Sequence, residues 1–171
     1  MSNMAASPVL DSYALLAFLR DEPGGEAVGE ILERAGQRDQ PVAMTEANYA
    51  EVQSIIRRKD GDAAWAAVAN ELRAAPIEFH PVTRRLADLA ADFKARYTLS
   101  LADACAAALA KDRKAELVTG HPELKPLEQE IKIHWLPAPP VAKRPRDSSQ
   151  LRSGWMSPTQ NHSRPVRTVE K

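Results

Sequence analysis

The sequence predicts an α/β domain: a mostly parallel central sheet with helices on both faces, followed by a disordered tail. Two observations predict it. Up to residue 136, short β-type runs alternate with helix-length segments in the order β-α-α-β-α-α-β-α-α-β-β, a pattern that favours a parallel sheet covered on both sides. From Pro137 onward that pattern stops, and the segment carries six of the thirteen prolines. The expected division is therefore a folded domain over residues 7–136 and a Pro-rich, basic, disordered tail over residues 137–171.

The strand-like pieces are Pro8–Leu10, Val42–Met44, Ile77–His80, Glu116–Val118 and Ile131–His134, each short and bounded by turns or helix starts. The helical segments are Ser12–Arg20, Gly25–Arg38, Glu46–Arg58, Asp62–Ala74, Arg84–Tyr97 and Leu101–Asp112. The third has an apolar arc of Tyr49, Val52, Ile55 and Ile56. The last is apolar nearly all round, so it is expected to be buried.

The net charge of zero conceals an asymmetry. Residues 1–136 hold 16 basic and 21 acidic residues, a sum of −5; residues 137–171 hold 7 and 2, a sum of +5. An acidic domain argues against nucleic-acid binding through a large basic patch, and any such chemistry would need cations to offset the acids. The single cysteine, Cys105, lies in an alanine-rich run and reads as a buried, inert thiol in a reducing compartment. It also excludes a zinc finger. No Gly-x-x-x-x-Gly-Lys-Ser/Thr run is present, which excludes a P-loop. The acidic set does not fall in the order a phospho-acceptor receiver domain needs. With no signal-type segment and no apolar run of about 18 residues, a cytoplasmic protein with no membrane association is expected.

In open α/β sheets, sites form beyond the carboxyl ends of the strands. Asp11 follows the first strand and opens the first helix, as an N-cap or as a metal-holding carboxylate. Glu51 sits at the margin of the third helix's apolar arc, where it can overhang a cleft or lie solvated beside Arg57, Arg58 and Lys59. Glu46, earlier in that helix, suits the helix dipole. Asp103 is the one charge in the run Leu99–Ala110, where a lone buried carboxylate costs several kcal/mol in order of magnitude. Ser100, three residues earlier, offers it a capping-box compensation. His121 follows the Thr119-Gly120 turn at the end of the fourth strand, as a surface residue or a site residue. Gly120 there suits a close backbone approach or a positive φ.

Together these segments resemble the PIN-domain family, in particular VapC-like type II toxins. The resemblance rests on Val9-Leu10-Asp11-Ser12-Tyr13, Asn48-Tyr49-Ala50-Glu51-Val52, Leu99-Ser100-Leu101-Ala102-Asp103-Ala104 and Leu117-Val118-Thr119-Gly120-His121-Pro122-Glu123. It implies a three-layer α/β/α domain and an endoribonuclease that uses Mg²⁺, with Mn²⁺ as an alternative. It implies Asp11, Glu51, Asp103 and His121 as catalytic positions, with Asp11 and Asp103 as metal ligands. It also implies an RNA substrate, a cognate antitoxin and a homodimer. Leu15, Leu16, Phe18, Leu19, Trp65 and Val68 are dimer-surface candidates by apolar content, with core burial as the alternative. The family has an acid where this chain has His121. An imidazole there removes a negative charge and adds a nitrogen donor suited to Mn²⁺ or Zn²⁺. It could instead contact phosphate or transfer a proton, or leave a weakened module that binds RNA or protein. Glu123, two residues on, could substitute in part.

Overall fold

A computed structural model of the chain describes residues 6–137; the tail expected from residue 137 lies beyond them apart from Pro137. The elements run β1 (Val9–Leu10), α1 (Ser12–Leu19), α2 (Gly25–Gln37), β2 (Val42–Thr45), α3 (Glu46–Asp60), α4 (Asp62–Ala74), β3 (Ile77–His80), α5 (Arg84–Arg96), α6 (Leu101–Arg113) and β4 (Leu117–Thr119). A 3-10 helix (Pro122–Gln129) and β5 (Ile133–Trp135) complete the domain. The five strands form one sheet in the order β3-β2-β1-β4-β5, with every pairing parallel. Val9 is in register with both Ala43 and Leu117, which makes β1 the centre of the sheet.

Because the side-chain period of a strand is two, a centre strand covered on both faces must bury consecutive residues in different layers. Val9 and Leu117 join a cluster with α5 and α6, whereas Leu10 and Val118 join one with α1 and α2. Met44 packs into a third cluster with Leu15, Val52, Ile56 and Leu72. The helix α6 is buried from Ala102 through Ala110, and its alanines and Cys105 are small enough for close approach to the sheet. Burial pushes the Cys105 thiol up, consistent with an inert role.

Of the apolar residues considered for a dimer surface, Leu15 is fully buried, and Leu16, Leu19, Trp65 and Val68 pack against the third cluster. Phe18 alone of the six is an exposed large hydrophobic. The last strand begins at Ile133 rather than Ile131. Ile131 instead donates its N–H to the Leu127 carbonyl and closes the 3-10 helix, burying its side chain in the core. That helix was not expected from periodicity, because Pro122 and Pro126 both interrupt the pattern. Its far end is tied to α5 and α6 by Glu130, which takes hydrogen bonds from Arg96, from Tyr97 at 2.7 Å and from Lys111 at 2.8 Å. These partners hold the Glu130 carboxyl down to about 2.

At the amino ends of the strands a cavity of about 390 Å³ is lined by Ser7, Pro8, Gln40 and Glu116 together with Arg34, Arg38, Lys114, Lys132 and His134. The opposite, carboxyl ends carry the acidic site.

The turn between α1 and α2 depends on two glycines. Gly24 adopts φ +94°, and Gly25 packs so tightly that an added Cβ would lie 2.4 Å from the Ala17 carbonyl oxygen. Backbone cannot yield there as a flexible side chain could. Gly25→Ala is therefore expected to lower stability by about 1–3 kcal/mol. A urea midpoint equal to that of the parent chain would contradict the tight crossing.

Candidate metal centre

The sheet order reverses at β1: the chain leaves β1 toward β2 and β3, then returns on the other side to β4 and β5. Such a reversal opens a crevice beyond the carboxyl ends of the two adjoining strands. Asp11 directly follows β1, and Thr119, Gly120 and His121 end and follow β4, so both segments border this crevice. Asp103 reaches it from the first turn of α6.

Asp11 is fully buried. One carboxylate oxygen caps α1 by accepting the Ala14 N–H at 2.8 Å, and the other accepts the Thr119 hydroxyl. Thr119 in turn accepts the His121 N–H at 2.9 Å. Capping and site membership thus coincide in one residue. Burial pushes the Asp11 carboxyl up to about 7, assisted by the neighbouring charge of Asp103 and opposed by its two hydrogen bonds and by His121.

Asp103 is buried and Ser100 holds it in place. The Ser100 hydroxyl accepts the Asp103 N–H at 3.0 Å and donates to Asp103 Oδ2 at 2.8 Å. This differs from the standard capping box, since the shorter Asp meets the hydroxyl and not the backbone N–H of the cap residue. His121 Nδ1 lies 3.2 Å from the same Asp103 oxygen. That nitrogen is buried and has no hydrogen-bond partner. Glu123, on the first turn of the 3-10 helix, brings an oxygen into the same group: one ligand atom each from Asp103, His121 and Glu123 lie within 4.8 Å of one another. Gly120 permits this loop course by close approach. A Cβ there would fall 2.2 Å from the Tyr13 ring, so only bare backbone can pass.

Glu51 is not brought into that group. It is half-buried on α3 and makes no hydrogen bond or ion pair among the described residues; of the basic cluster Arg57, Arg58 and Lys59 considered beside it, Arg57 binds Asp62, at 2.6 Å. Glu46 lies in the first turn of α3. Residue patterns gave no role to Asn48, three positions before Glu51, yet it is the buried joint of the site. Its Nδ2 donates to Ser12 Oγ at 3.0 Å and to the Ala102 carbonyl at 3.2 Å, its N–H to Thr45 Oγ1 at 3.1 Å, and its Oδ1 accepts from Thr45. Ser12 returns a bond to the Asn48 carbonyl at 3.3 Å. One amide therefore fixes the starts of α1 and α6, next to Asp11 and Asp103. The signal available beforehand was a polar residue inside a motif whose neighbours are apolar.

The donor set suits a divalent cation. Carboxylates set close together raise one another's affinity for positive charge, and the His121 Nδ1 lies beside them, 3.2 Å from Asp103 Oδ2. Asp103, His121 and Glu123 would hold such an ion, with Asp11 adjacent.

Two outcomes follow from this geometry. Asn48→Ala leaves the Ser12 hydroxyl and the Ala102 carbonyl without their donor and should cost about 1–3 kcal/mol, read from denaturant midpoints; an unchanged midpoint would contradict the joint. Asp11 gives a pH effect in the metal-free protein. Its folded value, about 7, exceeds the ordinary 3.8, so the folded state binds the extra proton between these values. Stability contributed by the protonated form is full below about 4 and is lost as pH rises through about 7. Asp11→Asn, which carries no charge, should thus melt progressively higher than the parent chain across this window in EDTA. Parallel melting curves at both ends of the window would contradict a buried, proton-holding Asp11.

Comparison with known proteins agrees with the architecture. No curated protein matches the chain in sequence. Among solved structures, VapBC2 from Rickettsia felis, bound to a DNA fragment from its promoter, aligns with a TM-score of 0.60 at 14% identity, over 74% of this chain and 96% of that one. VapC20 from Mycobacterium tuberculosis, a sarcin-ricin loop cleaving toxin, aligns at 0.57 and 16%, over 70% and 94%. FitAcB from Neisseria gonorrhoeae aligns at 0.57 and 16%, over 74% and 95%. At these identities the likeness is one of fold. The PIN domain family profile matches residues 9–125, a span that contains Asp11, Glu51, Asp103, His121 and Glu123. By that match and by its parallel sheet, the chain belongs to the PIN domain family.

Proposed function

We propose that the chain is a divalent-metal-dependent endoribonuclease and the toxin of a type II toxin–antitoxin pair. The observation that carries this reading is the convergence of Asp103, His121 and Glu123 beside buried Asp11 at the switch point of the sheet. Asp103 and the adjacent Asp11 are the proposed metal ligands, joined by the donor atoms of His121 and Glu123, and Glu51 and His121 complete the proposed catalytic set. Mg²⁺ or Mn²⁺ bound there would stabilise charge on a phosphoryl oxygen and supply an activated water.

The residues of the chain do the positioning. Ala14 N–H and Thr119 hold Asp11, and Ser100 holds Asp103, so neither carboxylate needs to reorganise when charge develops. A polyanionic RNA is repelled by these acids until cations offset them, which couples substrate entry to metal loading.

The neighbouring VapBC structures support an antitoxin as partner. A basic side chain of that partner, inserted among the acids, would silence the site by occupying the place of the cation. A homodimer and a cytoplasmic location belong to the same reading; no helix among the described residues is long and apolar enough to cross a membrane.

The test incubates the full chain, freed of any antitoxin, with single-stranded and structured RNA in EDTA, Mg²⁺ or Mn²⁺. Cleavage should require the metal and fall by at least about a hundredfold in Asp103→Asn. Cleavage that appears only in His121→Asp would replace the enzyme by a weakened module that binds RNA or protein. No cleavage by either protein would remove the nuclease reading.

A further inference from the structure

The fifth strand brings a tryptophan to the rim of the acidic crevice. β5 is an edge of the sheet, and its last residue, Trp135, stands in register with Thr119, the last residue of β4. Neighbouring strands lie about 4.8 Å apart, and residues paired across them direct their side chains to the same face. The indole therefore shares a face with the Thr119 side chain, whose hydroxyl meets Asp11. Its N–H donates to Glu128 Oε1 at 2.5 Å, on the 3-10 helix that also carries Glu123. Phe18 and Trp135 are the exposed large aromatic side chains among the described residues. Phe18 lies at the far end of α1 from Asp11, so Trp135 is the one that borders the crevice.

Three features suit that ring to a flat, unpaired base. Its single donor is spent on Glu128, which fixes the ring and leaves an apolar π-face to offer. Tyr13 closes the other side of the neighbouring loop, its ring set against bare Gly120 in the layer of α1 and α2. Charge, finally, gives a polyanion little hold. Residues 1–136 sum to −5, and Arg20, Arg57, Arg85 and Arg96 are each tied to an acid at 2.6 Å. A strand of RNA whose phosphate reaches the crevice can still gain affinity by stacking a base, which that negative charge does not oppose.

We propose that Trp135 is a base-stacking residue: it holds an unpaired nucleobase beside the scissile phosphate, so the site grips single-stranded RNA through a base and not through the backbone alone. The inference rests on the nuclease reading above and names how that site holds its substrate. A base inside a duplex has both faces covered by its neighbours and does not reach the ring, so paired RNA gains nothing from it. Every base has a π-face, so Trp135 adds affinity without reading sequence.

The test uses the full chain in EDTA and two labelled oligonucleotides: a single-stranded RNA, and a wholly abasic strand with the same number of phosphates. Every basic residue of the chain meets equal charge in the two. Fluorescence anisotropy should show the RNA bound at least about tenfold more tightly than the abasic strand. Trp135→Leu should remove that difference, and Trp135→Phe, which keeps a ring, should retain most of it. With metal restored, Trp135→Leu should raise KM for single-stranded RNA about tenfold with little change in kcat, a split that a merely structural tryptophan would not produce. Melting curves verify that both variants fold. Equal binding of the two strands by the parent chain, or a base preference that survives Trp135→Leu, would overturn the inference. A Trp135→Leu chain that keeps its base preference but no longer binds the antitoxin would assign the ring to a protein partner instead. RNA cleavage without any base preference would leave the nuclease reading standing and remove only this one. A base preference lost in Trp135→Leu, with no cleavage of any RNA, would do the reverse.

Discussion

Asp11 is held where an ionised carboxyl is least welcome: fully buried, at the carboxyl end of the central strand, with Asp103 near enough to raise its proton affinity further. Much of the surrounding architecture responds to that placement. The start of α1 supplies an N–H, the end of β4 supplies a hydroxyl, and the same hydroxyl orients the loop carrying His121. Asn48 then locks the starts of α1 and α6 to α3, so the elements bearing the two aspartates cannot drift apart to relieve their repulsion. A fold built for stability alone would place a neutral residue at position 11. Retaining an acid there makes sense if positive charge arrives from outside the chain.

The fold was legible because its signals are local. Short β-type runs between helix-length segments implied a parallel sheet, and the sheet is parallel throughout. Strand order was not legible, since periodicity cannot say which strand lies beside which. The 3-10 helix escaped because Pro122 and Pro126 look like loop residues, and 3-10 geometry tolerates the missing donors. Ile131 read as strand because it is apolar and next to other β-formers, but its side chain is consumed by the core before the strand begins.

The site was legible in part. Asp11, Asp103 and His121 stand out in sequence because each is polar at a strand end or alone in an apolar run, and the structure brings them to one crevice. Glu51 carries no such structural support: its place on α3 lies outside the group formed by Asp103, His121 and Glu123. Asn48 and Thr119 could not be found by charge or periodicity, because a neutral side chain that satisfies buried neighbours leaves no pattern in a single sequence.

The sheet is only two to four residues deep, roughly 7–13 Å along the strands. Across that short depth the side chains at the strand ends change character: buried Asp11 and Asp103, with exposed Glu123, lie beyond one end, while Arg34, Arg38, Lys114 and Lys132 line the cavity at the other together with Glu116. Summed charge describes such a body poorly. The bases at one end are partly neutralised where they stand, Lys132 by Glu116 at 3.1 Å and Arg34 by Glu30 at 3.5 Å, whereas the acids at the other end crowd one another. The net −5 of residues 1–136 therefore says little about how charge is divided between the two ends of the sheet.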